Sequence, residues 1–130
     1  MNIGIQAEIF TICNIFRKHF EPVHIEAVFT RTRKREVAEI RQMLETLLYR
    51  HSENRHSLKC VGQSIMRGRD HSTVIHSVKQ VEDLCDVDKN YNSKFQSIVR
   101  DFKETQGAFE VENDTDPKIL SNVYQYFEYS

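Results

Sequence analysis

The chain has 130 residues, 18 Lys and Arg, 19 Asp and Glu, and a formal net charge of −1. That length suits one small domain with a core of its own, needing no metal or disulfide staple. No apolar run is long enough to span a membrane and no signal-peptide pattern opens the chain, so a cytoplasmic protein is expected. The small net charge hides an asymmetry: residues 31–79 carry 11 basic and 5 acidic side chains, the remaining positions 7 and 14. A basic zone between acidic flanks is the footprint of a polyanion partner, although a solvated face gives the same count. Cys13, Cys60 and Cys85 form no C-x-x-C pair, and each falls on or beside an apolar helix face. They read as buried, reduced thiols.

In chain order, residues 4–20 read as a helix with Ile5, Ile9, Ile12, Cys13, Phe16 and Phe20 on one stripe. Glu21-Pro22 stops it, because a residue before proline is pushed out of the α region. Val23 to Phe29 is expected as a short second helix with Ile25, Val28 and Phe29 inward. Thr30-Arg31-Thr32-Arg33-Lys34-Arg35 then sets four cations in six residues with no apolar side chain. It reads as an exposed loop, either merely solvated or a clamp on phosphates. Glu36 to about His51 is the clearest helix, with Val37, Ile40, Leu44, Leu47, Leu48 and His51 on its core stripe. Arg41 and Gln42 lie off that stripe, beside the basic loop, where they are expected to touch a polyanion backbone. Residues 52–56 form a polar turn.

Ser57 caps a short helix to about Ile65 with Leu58, Val61 and Ile65 inward, and Met66-Arg67-Gly68 turns the chain. From Asp70 a further helix carries Val74, Val78, Val81 and Cys85 at core spacing. Its first turn holds Asp70, His71, Ser72 and Thr73. On its own this is an ordinary surface helix capped by Asp70. Joined to the helix before it by a tight Gly-containing turn, it reads as the second member of a helix-turn-helix, whose free first turn enters a major groove. A helix with Tyr91, Phe95, Ile98, Val99 and Phe102 inward follows. Lys103 to Thr115 reads as a polar, acidic linker. Asp116-Pro117 starts a last helix with Ile119, Leu120, Val123, Tyr126 and Phe127 on its apolar face. The boundaries expected are 1–105 for the domain and 106–130 for linker and terminal helix. The fold class is all-α, a compact helical bundle.

His51 and His56, like His71 and His76, are five apart and face different ways on a helix, with no Cys or carboxylate completing a metal site. No Ser-His-Asp or Cys-His set and no glycine-rich phosphate loop is present. No metal, no cofactor, no nucleotide and no catalysis are expected.

Val61-Gly62 followed by Gly68-Arg69-Asp70-His71-Ser72-Thr73-Val74-Ile75-His76 resembles the C-terminal DNA-binding domain of the bacterial replication initiator DnaA. In that family a Gly-Arg-Asp-His-(Ser/Thr)-Thr-Val run opens the recognition helix. Arg41-Gln42-Met43 is similar to the Arg-Gln-(Ile/Met) of its long helix, His56-Ser57-Leu58 to the start of its supporting helix, and residues 31–35 to its basic loop. The resemblance covers roughly residues 5–102 and implies a Trp-repressor-like bundle that binds double-stranded, A/T-rich DNA at a DnaA-type box. It implies Arg33 in the minor groove and Arg69, Asp70, His71, Ser72 and Thr73 facing base edges and phosphates in the major groove. Arg31, Lys34 and Arg35 belong to the basic loop. Arg41, Gln42, Lys59 and His76 would meet the backbone, with Lys79 beside them. No Walker A motif accompanies the resemblance, so the family's ATPase module is not expected in this chain. The turn between the long and supporting helices is two residues longer than the family pattern, and the turn before Gly68 one longer. Both are placed to shift the recognition helix. A stand-alone, sequence-preferring DNA binder acting on replication-origin-like or regulatory DNA is the first reading. The alternative is a protein-interaction module that pairs with a partner or a second copy through the acidic C-terminal helix; residues 101–130 carry 7 acids and 2 bases.

Overall fold

The computed structural model describes residues 3–65 and 69–113, with side chains from 4 to 65 and from 69 to 106. Its first helix, α1 (Ile3–His19), buries Ile5, Ile9, Ile12, Cys13 and Phe16 of the stripe expected from the spacing, while Phe20, the stripe's last member, lies just past the helix end and is half-buried against the core. Pro22 then opens α2 (Pro22–Ala27) at a position where a missing N–H costs nothing. Ile25 and Val28 are buried, but Phe29 is 40% exposed. The helix ends at Ala27, so Phe29 is no longer held to its inner face.

Helix α3 (Arg35–Thr46) buries Val37, Ile40, Met43 and Leu44, then widens into a π-type turn over Leu47–His51 with Leu47 and Leu48 still buried. A π-turn holds one residue more than an α-turn. Arg55, just beyond, reverses the chain with a φ of 51°. This corner is not merely a solvated polar turn. Ser52 and His56 are buried, and the Ser52 hydroxyl and His56 Nε2 both engage the Glu8 carboxylate of α1, which Asn54 reaches as well at 3.2 Å.

Helix α4 (Leu58–Ile65) is capped by Ser57, whose Oγ accepts from the Cys60 N–H at 3.1 Å, and it buries Val61 and Ile65. Helix α5 (His71–Val87) buries Val74, Val78 and Val81. Asp88 caps α6 (Lys89–Asn113) through the N–H groups of Asn90 and Tyr91. Phe95, Ile98, Val99 and Phe102 of α6 are buried. The helix continues across 103–113, where a linker was expected, and so crosses the 105/106 boundary. Lys, Glu, Gln and Ala favour helix here over a loop, and Gln106 anchors it by donating to the His51 carbonyl and accepting from the Glu53 N–H.

No strand occurs among the described residues, and the class is all-α. Helix α3 packs on α2 and α5, α4 on α5, and α1 on α6. The turn at 66–68 and the helix expected from Asp116 lie outside the described residues. All three cysteines are free; Cys13 is buried, Cys60 and Cys85 half-buried. Burial pushes the Cys13 thiol up to about 11, so it stays protonated and inert.

Candidate nucleic-acid interface

Two elements meet at the middle of α3. The first is the loop from Val28 to Lys34. Arg31, Arg33 and Lys34 are exposed on it, as is Arg35 at the start of α3, where it pairs with Glu39 at 3.2 Å. Four exposed cations without apolar neighbours would not hold a loop shape by themselves. Arg41 holds it. Its Nε donates to the Val28 carbonyl at 2.8 Å, Nη2 to the Thr30 carbonyl at 2.7 Å, and both Nη atoms to the Thr32 carbonyl at 3.3 Å. Arg41 is 5% exposed, so the structure corrects its expected place: it fastens the loop from inside instead of offering its charge outward. Desolvation, and then the nearby Arg69 charge, lower its pKa. Gln42, beside it, is half-buried.

The second element is the start of α5. Asp70 is exposed and in extended backbone, and its Oδ1 accepts from the Thr73 N–H at 2.9 Å and the Thr73 hydroxyl at 3.1 Å. These bonds hold its carboxyl below the ordinary range. The cap frees the first turn from any need of a neighbour: His71 and Ser72 are exposed and Thr73 is half-buried. Ser72, His76 and Lys79 continue one exposed stripe at helical spacing, opposite Val74, Val78 and Val81. Lys59 is exposed on α4.

Arg69, grouped with the base-reading set by resemblance, is turned inward. Its Nε and Nη2 donate to Glu45 Oε1 at 2.9 and 2.6 Å, and Nη2 lies 3.4 Å from Ser77 Oγ. Glu45 is fully buried, and its other oxygen has no hydrogen-bond partner among the described residues. Burial raises its pKa against the lowering effect of Arg69, Arg41 and Ser77. Neither Glu45 nor Ser77 was singled out from sequence. A Glu inside an otherwise apolar helix stripe was the available signal. Gly62 belongs to the same corner: a Cβ there would lie 2.4 Å from the Arg69 carbonyl oxygen and 3.2 Å from a Val74 methyl. Among the described residues no group of His, Cys, Asp or Glu is placed to hold a metal, and no helix is long and apolar enough to cross a membrane.

A supporting helix, a second helix with a capped and exposed polar first turn, and an all-α bundle around them define a helix-turn-helix domain. The chain belongs to the family described as "Bacterial dnaA protein helix-turn-helix", which it matches over residues 9–81. It is 37% identical over 87 residues to the chromosomal replication initiator protein DnaA of Bacteroides fragilis, and 33% identical over 87 residues to that of Bacteroides thetaiotaomicron. Each alignment covers 67% of this chain, but only 17% and 18% of those proteins. No solved structure matches.

Proposed function

We propose that this chain binds double-stranded DNA with a sequence preference, laying the first turn of α5 in the major groove and Arg33 in the minor groove. The observations that carry the reading are the exposed, self-capped turn His71-Ser72-Thr73 at the start of α5, which packs on α3, and the cationic loop that Arg41 of the same α3 holds in shape. His71 and Ser72 bring ring nitrogens and a hydroxyl to base edges, and the Thr73 methyl suits a thymine methyl. Asp70 caps the helix and can accept from a cytosine amine. Arg31, Lys34, Arg35, Gln42, Lys59, His76 and Lys79 meet phosphates, which position the protein without reading sequence. We leave Arg41 and Arg69 out of the contact set, because Arg41 is buried on the loop carbonyls and the half-buried Arg69 is paired with Glu45. The name of the relatives, chromosomal replication initiators, supports origin-like or regulatory DNA as the target, and the motif resemblance supports an A/T-rich site met in the cytoplasm.

Fluorescence anisotropy with a short duplex carrying a DnaA-type box, against a scrambled duplex at two salt concentrations, tests this. The expected result is preference for the box and affinity falling steeply with salt. His71→Ala and Thr73→Ala are expected to cost about 1–3 kcal/mol on the box and less on the scrambled duplex. Equal binding of both duplexes by the parent chain would refute the reading.

A further inference from the structure

Glu45 is the least expected charge in this fold. A fully buried carboxylate with one oxygen unpaired is a poor stability device, because its desolvation offsets most of what the Arg69 pair returns. A leucine or methionine at this position would serve a core better. What the carboxylate does provide is direction. It grips Arg69, the residue immediately before the Asp70 cap, and lies within 3.5 Å of Ser77 Oγ, two turns into the same helix. One turn earlier on α3, Arg41 grips the carbonyls of the basic loop. Positions 41 and 45 are separated by about 6 Å of helix rise, on a helix whose core stripe is fully packed.

We infer that Glu45 is a positioning residue for DNA reading: through Arg69 and Ser77 it fixes the first turn of α5 at one set distance from the loop that Arg41 holds. The two gripping side chains share one rigid helix, so the minor-groove loop and the major-groove turn move as a single body. Gly62 keeps the fit close from the other side, since any Cβ there would push the Arg69 carbonyl away. Two elements joined this way recognise a spacing along the duplex as well as two sets of contacts. The inference rests on the DNA reading proposed above and adds to it a rule about spacing.

The test uses the full chain and three duplexes: the DnaA-type box, a scrambled sequence, and the box with one base pair inserted between its A·T-rich end and the remainder. Glu45→Gln keeps the shape and removes the charge. It is expected to melt below the parent but to stay folded, since Arg69 keeps an amide acceptor while losing its counter-charge, and the box-to-scramble affinity ratio should fall about tenfold, the worth of one misplaced base contact. The penalty for the inserted base pair should shrink with it, since a loosened joint tolerates either spacing. The double variant Glu45→Met with Arg69→Met leaves no buried charge behind, is expected to fold, and should show the same loss of spacing discrimination. An unchanged ratio with an unchanged insertion penalty in either folded variant overturns the inference. So does uniformly tighter binding by Glu45→Gln, which would mean that Glu45 only withheld Arg69 from phosphates. Unfolding of both variants assigns the pair to stability and equally overturns it. Failure of the underlying DNA reading is distinguishable, because it appears in the parent chain as equal binding of box and scramble.

Discussion

A guanidinium that satisfies the main-chain carbonyls of Val28, Thr30 and Thr32 at once cannot be shortened without leaving acceptors unpaired. Arg41→Ala is therefore expected to lose about 2–3 kcal/mol of stability, the scale of a buried charged hydrogen-bond set, as read by urea denaturation. Arg41→Lys should recover little of it, since an ammonium lacks the flat fork that reaches three carbonyls in different directions. Weaker DNA binding would follow in both variants as a consequence of a loosened loop. Gly62→Ala makes the converse test, adding an atom where there is no room. Alanine favours the helix by up to about 1 kcal/mol, but the atom it meets is the main-chain oxygen of Arg69, not a side chain that can swing aside. Overpacking should win, with a net loss of about 1–3 kcal/mol in thermal or urea melts.

At the scale of a helix, the Asp70 cap on α5 carries a pH signature. Its carboxyl is held below the ordinary range, first by the Thr73 N–H and then by the Thr73 hydroxyl. A depressed folded-state pKa contributes stability that is present above the unfolded value, about 3.9 for Asp. That stability disappears as pH falls through the lower folded value. The melting temperatures of the parent and Asp70→Ala should therefore differ at pH 7 and converge below about pH 4. Convergence already at pH 6 would assign the difference to another group. Asp70 and Ser57 were legible as helix starts because capping is a local property of a few consecutive residues, whereas Pro22 was read only as the stop of the first helix although it also opens the second. Apolar stripes were legible for a related reason: burial repeats with the helix period, and Ile5 to Phe16 or Val74 to Val81 show it directly. Polar residues were legible as polar but not as inward. Arg41, Glu45, Glu8 and His56 are buried and Arg69 is half-buried, with partners 8 to 48 positions away in sequence, and no local pattern announces such pairs. The continuation of α6 past Phe102 escaped for a different reason. A polar acidic run describes a solvated helix and a linker equally well.

For the molecule as a whole, the folding unit extends beyond the stretch that matches the family. The match ends at residue 81, yet Phe95, Ile98 and Phe102 of α6 are buried against the rest of the core. Phe102→Ala should cost about 3–5 kcal/mol, a large share of a small domain's stability, although it lies far along the chain from the residues proposed to face DNA. A chain ended at Asp88 is expected to lack a cooperative melt altogether. Charge is likewise a property of the whole chain. The net charge of −1 gives almost no long-range attraction to DNA, so binding must come from the local basic zone over residues 31–79. In that case the salt slope counts local phosphate contacts and not net charge. With Arg31, Lys34, Arg35, Lys59 and Lys79 exposed, the slope of log K against log salt should be on the order of −4. Lys59→Ala should make it shallower by about 1 while leaving the preference for the box intact, because a phosphate contact carries no sequence information. A neutralising change in the acidic flank, such as Asp83→Asn near the far end of α5, should raise affinity slightly on every duplex and leave the slope where it was. If instead the slope tracked net charge, Asp83→Asn and Lys59→Ala would move it by equal and opposite amounts, and the separation of the chain into a reading face and inert acidic flanks would be refuted.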